Sequence, residues 1–183
     1  MPLFGKRYAD TVARLRVPTG FLLVAVFAWL SRPTPRWMAL GVPVSLAGLA
    51  LRAWAAGCLA KNQQLATSGP YAYTRNPLYL GTMLVAAGLA IASRSLGLAA
   101  LTAAVFLLIY LPVIQLEEQH LRRLFPEYEA YAQAVPALWP RLRRMAQKRA
   151  VHFQAALYLR NQEYNAAAGF AAGLAFLLWK MRG

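Results

Sequence analysis

The chain has 183 residues, 59% of them hydrophobic, with a mean hydropathy of +0.38 and a formal net charge of +14 at pH 7. Such a composition excludes an ordinary soluble domain of this length and fits a single integral membrane domain, 1–183. The basic excess does not indicate nucleic acid, because the Lys and Arg residues lie between apolar segments rather than on a polar face interleaved with aromatics. Cys58 is the one cysteine, which excludes an intrachain disulfide, and without His or Cys neighbours it reads as a packing residue.

Lys6, Arg7, Arg14 and Arg16 precede the first apolar segment, Val17 to Ser31; no small-x-small cleavage site follows, so it is expected to be a retained span rather than a signal peptide. Further apolar segments run from Trp37 to Ala60, Leu78 to Ser93, Leu96 to Leu116 and Tyr164 to Trp179. At 1.5 Å per residue about 20 residues cross the hydrocarbon core, which the second and fourth segments meet and the others approach by recruiting flanking residues. About five transmembrane helices are expected, an all-α polytopic bundle.

Basic residues set the orientation. With the N-terminus inside, fourteen Lys and Arg fall on the cytoplasmic side and five outside, with Arg52 inside the second span. The loop at 61–77 and the chain after Glu118 then share the cytoplasmic face, the inner side of the inner membrane in a bacterium, within reach of a cytosolic cosubstrate. From Glu117 to Tyr131 the sequence becomes amphipathic and is interrupted by Pro126, as for a helix leaving the membrane and bending along its surface. Residues 141–160 are basic with interspersed apolar side chains and suit a segment on anionic membrane lipids, ahead of the last span. In that span Gly169 and Gly173 have a spacing that can bring helices together, a weak pointer to a homodimer.

Several chemistries lack their residues. There is no Gly-rich nucleotide fingerprint and no His-x-x-x-His pair, and the two histidines, His120 and His152, are too far apart in sequence to suggest a metal site. What remains is a polar cluster, Gln63, Gln64, Tyr71, Tyr73, Arg75, Asn76 and Tyr79, followed one span later by Glu117 and Glu118. Polar residues are costly beside lipid unless they build a site. Gly69-Pro70 favours a turn, and Asn76-Pro77 holds residue 76 extended and starts the third span, so the first amides of that helix can face a ligand. The tyrosines offer flat faces for an adenine or a sulfonium, and a carboxylate could pair with a cationic group. An interfacial aromatic belt and an exposed helix end are the plainer alternatives, but neither explains why both features bracket the same pair of spans.

The stretch LATSGPYAYTRNPLYLG, followed by LEEQHLRRLFPEYEAYAQAVPALWP, resembles the isoprenylcysteine carboxyl methyltransferase and phospholipid N-methyltransferase superfamily of membrane enzymes over about residues 60–140. The resemblance implies S-adenosylmethionine as cosubstrate, bound in a pocket reached from the cytosol, and a lipophilic acceptor entering from the bilayer. Carried onto this chain, it implies cosubstrate contacts at Gln63, Gln64, Leu65 and Ala66, at Tyr71, at Asn76, Pro77, Leu78 and Tyr79, and at Glu117 with Glu118 close by. Tyr79 and Glu117 would bind the cosubstrate at the reacting centre, and Arg75 would orient an anionic group of the acceptor. Asn76 and Gln63 stand where that superfamily often has His, and Val113 stands near where the prenylcysteine enzymes have a carboxylate-binding Arg. A pocket without a titratable imidazole is thus expected, favouring a carboxylate, thiolate or neutral lipid amine over an alcohol. The expected function is a membrane S-adenosylmethionine-dependent methyltransferase. A non-catalytic scaffold or binder of the same fold, or a sterol-reductase-like membrane reductase, is the alternative.

Overall fold

The computed structural model describes residues 4–141 and 152–182, and among these every regular element is helical. The middle of the expected basic segment, 142–151, lies outside the described residues. Helix α1 runs Lys6–Leu30 and α2 Pro35–Gly57, with Pro35 at the first position of α2, where a missing N–H costs nothing. A 3₁₀ turn at Gly69–Ala72 precedes α3, Pro77–Ala92, which also starts on proline. Helix α4, Leu96–Val105, continues through a π-turn at Phe106–Tyr110 into α5, Leu111–Leu124. The short α6, Tyr128–Ala134, and α7, Ala155–Arg160, lead to α8, Tyr164–Arg182.

Two of these elements, Pro35–Gly57 and the continuous Leu96–Leu124, are long and apolar enough to cross a membrane. Only 28% and 22% of their apolar windows are buried within the protein, so most of that surface faces outward. Phe21, Val24, Trp29 and Leu96 are likewise 66–87% exposed. An apolar exterior of this extent is matched by lipid, not by water. Pro18–Leu30 and Pro77–Ala92 are apolar but shorter.

The α2–α3 pair is held at close range by small residues. A Cβ placed on Gly48 would lie 2.7 Å from the Gly81 carbonyl oxygen, and one on Gly81 would lie 2.8 Å from the Gly48 carbonyl. Ser45 Oγ donates to the Val85 carbonyl at 2.9 Å, a polar link suited to a dry interface. The glycine pair singled out from spacing behaves differently. Nothing lies within 4 Å of a Cβ on Gly169, and Gly173 makes only ordinary contact with Leu89. Close helix approach therefore belongs to α2 and α3, whose glycines are farther apart in sequence than the four-residue spacing that draws the eye.

The π-turn has a local cause. Pro112 has no N–H to give the Leu108 carbonyl, and the Tyr8 hydroxyl of α1 takes that carbonyl at 2.8 Å. The result ties α1 to the middle of the α4–α5 helix and turns Tyr110 toward Tyr79, their rings edge to face with centroids 6.0 Å apart.

The packing predicts a contrast. Gly48→Ala forces α2 and α3 apart and should lower stability by about 1–3 kcal/mol, the usual cost of overpacking, whereas Gly169→Ala should leave it unchanged. Thermal unfolding of the detergent-solubilised variants, followed by circular dichroism, checks both.

Candidate functional site

A cavity of about 440 Å³ opens where the 59–66 loop, the 3₁₀ turn, the first turn of α3, the end of α5 and the α6 tyrosines meet. Its wall includes Gln64, Leu65, Ala66, Tyr71, Arg75, Asn76, Pro77, Leu78, Tyr79 and Glu117, so most of the residues expected to form the site are brought together. Gln63 and Glu118 are not on that wall. The Gln63 side-chain amide instead lies 3.1 Å from the Arg160 guanidinium, on the C-terminal segment.

Glu118 has a bracing position. Arg75 donates to it through Nε at 3.0 Å and Nη2 at 3.1 Å, and Asn76 Nδ2 adds a third bond at 3.1 Å. The other Arg75 nitrogen, Nη1, donates to the carbonyls of Ala132 and Val135 at 2.6 and 3.1 Å. Four of the five guanidinium N–H groups are thereby taken, and the pair is 12% and 15% exposed. This geometry makes Arg75 a brace for the loop, while the side chain also stays on the cavity wall. Asn76 does the same work, its amide also donating to the Ala137 carbonyl at 2.9 Å. A histidine could not make that pair of donations from one nitrogen, which gives the Asn a physical reason at this position.

The segment after α6 closes over this loop. Arg75 N donates to Pro136 O at 2.9 Å, Arg141 N to Tyr73 O at 3.1 Å, and Thr74 Oγ1 to Leu138 O at 2.9 Å. The Tyr131 hydroxyl donates to the Tyr71 carbonyl at 2.7 Å. The two sequence blocks of the motif are thus one structure, with the second block holding the first.

Several side chains on the wall, among them Tyr71, Tyr128, Glu117 and His120, have polar capacity left over. Tyr71 is 6% exposed and its hydroxyl has no hydrogen-bond partner among the described residues, an arrangement costly without a ligand. Burial first, and then the nearby Glu117 carboxylate, push the Tyr71 phenol above its ordinary range, so it stays a neutral donor. Glu117 is exposed and makes no ion pair among the described residues, whereas its neighbour Glu118 is enclosed. His120 also lines the cavity, one helical turn from Glu117. This corrects the expectation of a pocket without imidazole. The i,i+3 spacing on α5 could have found it, had the histidine been weighed for its helix face and not only as a metal ligand. Val113 is buried and lines the cavity, so an apolar surface occupies the place where an Arg was sought.

A second cavity, about 530 Å³ and almost wholly apolar, lies between α1, α3, the α4–π segment and α8. Gly169 and Gly173 line it, as do Phe106 and Tyr110. Tyr79 lies on the wall of the first cavity and Tyr110 on that of the second, so their ring pair stands where the two approach. Among the described residues, no three His, Cys, Asp or Glu side chains converge as a metal site would require.

Because the Arg75 fork supports four backbone and side-chain acceptors, Arg75→Lys should lose about 1–3 kcal/mol of stability, the range for removing bonds that leave buried acceptors unpaired. The thermal midpoint of the purified variant checks this; an unchanged midpoint would overturn the bracing role.

The phospholipid methyltransferase family matches residues 38–128, a stretch that includes most of α2, all of α3, the cavity loop and both glutamates. A cobalt-zinc-cadmium resistance protein, CzcN, of Cupriavidus metallidurans is 36% identical over 137 residues, covering 69% of this chain and 62% of that protein. A nickel-cobalt-cadmium resistance protein, NccN, of Alcaligenes xylosoxydans xylosoxydans is 35% identical over 137 residues, covering 69% of this chain and 63% of its own length. The match thus spans less than two thirds of either relative. No solved structure matches the chain. A membrane-suited helical exterior, a cavity built from the two motif blocks and the family match over them agree: the chain belongs to the phospholipid methyltransferase family, within the superfamily of membrane methyltransferases that its motifs resemble.

Proposed function

We propose that this protein transfers a methyl group from S-adenosylmethionine to a lipophilic acceptor, the cosubstrate occupying the polar cavity from the cytoplasmic side and the acceptor's hydrocarbon part the apolar one. One juxtaposition supports this above all: a polar cavity with Tyr71 and an exposed Glu117 carboxylate on its wall stands next to an apolar cavity, with the Tyr79 and Tyr110 rings between them. S-adenosylmethionine, when bound, supplies an electrophilic methyl on a positively charged sulfur. The residues present suit such a molecule. Tyr71 can donate to a ligand oxygen or nitrogen, Glu117 can attract an ammonium or sulfonium, and the Tyr79 ring offers a face to a cation or an adenine. Gln64, Leu65, Ala66 and the Asn76-Pro77-Leu78 turn form the remaining wall. The protein's contribution is then alignment and exclusion of water rather than covalent chemistry.

The relatives' printed names concern resistance to cobalt, zinc, cadmium and nickel. For this chain we carry over the methyltransfer reading of the family and not a metal-binding one, since the donors on the cavity wall suit a cationic organic ligand. Five crossings, made by the apolar half of α1, by α2, α3, α4–α5 and α8, with the N-terminus inside, would put the cavity at the cytoplasmic surface and leave Trp179, 70% exposed, near the opposite interface.

Tyr71→Phe separates ligand binding from folding. An unpartnered buried hydroxyl contributes nothing to the free protein, so the variant should be as stable as the parent or more so, yet bind S-adenosylmethionine about five- to tenfold more weakly. Glu117→Ala should weaken it similarly. Calorimetry with S-adenosylmethionine, S-adenosylhomocysteine and reduced nicotinamide dinucleotide phosphate measures this; binding of the nicotinamide instead would favour the reductase reading, and binding without methyl transfer to extracted membrane lipids would favour the non-catalytic one.

For topology, Lys61→Cys in a Cys58→Ala background should react with an impermeant maleimide only after the cytoplasmic face is opened, and Arg36→Cys should react in intact cells. Both positions are exposed in the structure. Labelling of position 61 in intact cells would reverse the orientation.

A further inference from the structure

Arg52 lies on α2 about a turn and a half from its cytoplasmic end, and its guanidinium is met by residues from two other parts of the chain. Nε and Nη2 donate to the Glu163 carboxylate at 2.5 and 3.0 Å, while Nη1 donates to the Leu78 carbonyl at 3.3 Å and to Thr82 Oγ1. Thr82 Oγ1 itself donates a hydrogen bond to the same Leu78 carbonyl at 2.9 Å. Glu163, in the α7–α8 connection, is 8% exposed and Arg52 21%. The Arg52 stem passes directly over Gly81, where a Cβ would come within 2.5 Å of Arg52 Cγ. The glycine at the end of the NPLYLG run therefore makes room for this side chain.

An ion pair this enclosed is an inefficient way to hold helices together, because apolar side chains of similar volume would do so without desolvating two charges. What an apolar contact cannot do is fix a carbonyl and a hydroxyl in direction. Those are what Arg52 grips: Leu78 in the first turn of α3 and Thr82 in the second bracket Tyr79, and Leu78 and Tyr79 are on the cavity wall. The carboxylate end is anchored as well. Asn161 Nδ2 donates to the Ala56 and Leu59 carbonyls at 2.9 Å, and Gln154 N donates to Gly57 O at 2.9 Å, so the C-terminal segment caps the end of α2.

We propose that Arg52 and Glu163 are positioning residues for the cosubstrate site: the pair locks the first turn of α3 in rotation, and with it Tyr79, using a carboxylate that lies outside the 38–128 family match. This rests on the S-adenosylmethionine reading above and adds the C-terminal segment to the site's machinery. Neither residue touches the ligand; both act through the Leu78–Thr82 turn.

A double-mutant cycle on the full-length protein in nanodiscs tests it, with S-adenosylmethionine as the probe in calorimetry. Glu163→Gln, which keeps shape and loses charge, should weaken binding about tenfold, the scale of coupling between residues in one hydrogen-bonded network. In a Tyr79→Ala background the same substitution should change affinity by less than about twofold, because the turn then has no ring left to aim. Thr82→Ala removes one Arg52 contact at the turn while leaving the ion pair; it should weaken binding about threefold at an unchanged thermal midpoint, and it carries the test if Glu163→Gln does not fold. Parental affinity in Glu163→Gln or in Thr82→Ala, or a Glu163→Gln effect undiminished by Tyr79→Ala, overturns the positioning role. Failure of the parent protein itself to bind S-adenosylmethionine overturns the methyltransferase reading instead, and this inference with it.

Discussion

The adjacent carboxylates of α5 divide the requirements of the site between them, and the enclosed one governs the rest. Glu118 gathers the Arg75 fork and the Asn76 amide, and Arg75 in turn holds two carbonyls at the end of α6. A loop rich in polar backbone cannot sit at a membrane surface in an arbitrary conformation, since each unmet donor or acceptor there is costly. By satisfying these groups together, the Glu118 node leaves Glu117, one residue earlier and rotated about 100° around the helix, as the carboxylate that faces the cavity.

Around this node the protein places polar and apolar space side by side. The polar cavity is lined by loop residues whose conformations come from prolines and from cross-loop hydrogen bonds. The apolar cavity is lined by helices whose spacing is set elsewhere, by the glycine contact of α2 with α3 and by the Tyr8 link to the π-turn. The Tyr79 and Tyr110 rings stand between them, and each is aimed by a local irregularity: a proline-started helix in one case, a π-turn before Pro112 in the other. Irregular backbone at these points is stable because neighbouring groups take up the carbonyls it releases.

Much of this was legible in the residue order. Apolar runs announced the helices, because burial in lipid imposes long uninterrupted hydrophobic stretches that few other folds need. The match is to within a few residues at both ends of α2, α3 and α8, whereas α1 starts eleven residues before its apolar run and α5 ends eight residues after its own. Gly69-Pro70 and Asn76-Pro77 announced the turn and the helix start, since proline restricts its own φ and the residue before it wherever it occurs. The grouping of Tyr71, Asn76, Tyr79 and Glu117 around one cavity was expected from motif order and is seen in the wall. Such features are local, or depend on composition over one span, and need no knowledge of which helix lies beside which.

What the residue order left open depends on partners far along the chain. Arg75, the one cation in its motif, is met by the Ala132 and Val135 carbonyls at the end of α6, and Arg52 could not be placed until a glutamate 111 residues later met it. Gln63 is off the cavity wall and meets Arg160, 97 residues later, instead. Gly169 and Gly173 have the spacing of a helix contact but line a cavity, while Gly48 and Gly81, on different helices, make the contact. The sequence by itself determined the helices, the turn geometry and the residue types available for binding a cationic ligand, because these follow from backbone restriction and from hydrophobic length. Only the tertiary structure decided which charges are neutralised internally and which face the cavity, because a long side chain's role is set by the nearest unsatisfied group, and that group is chosen by packing.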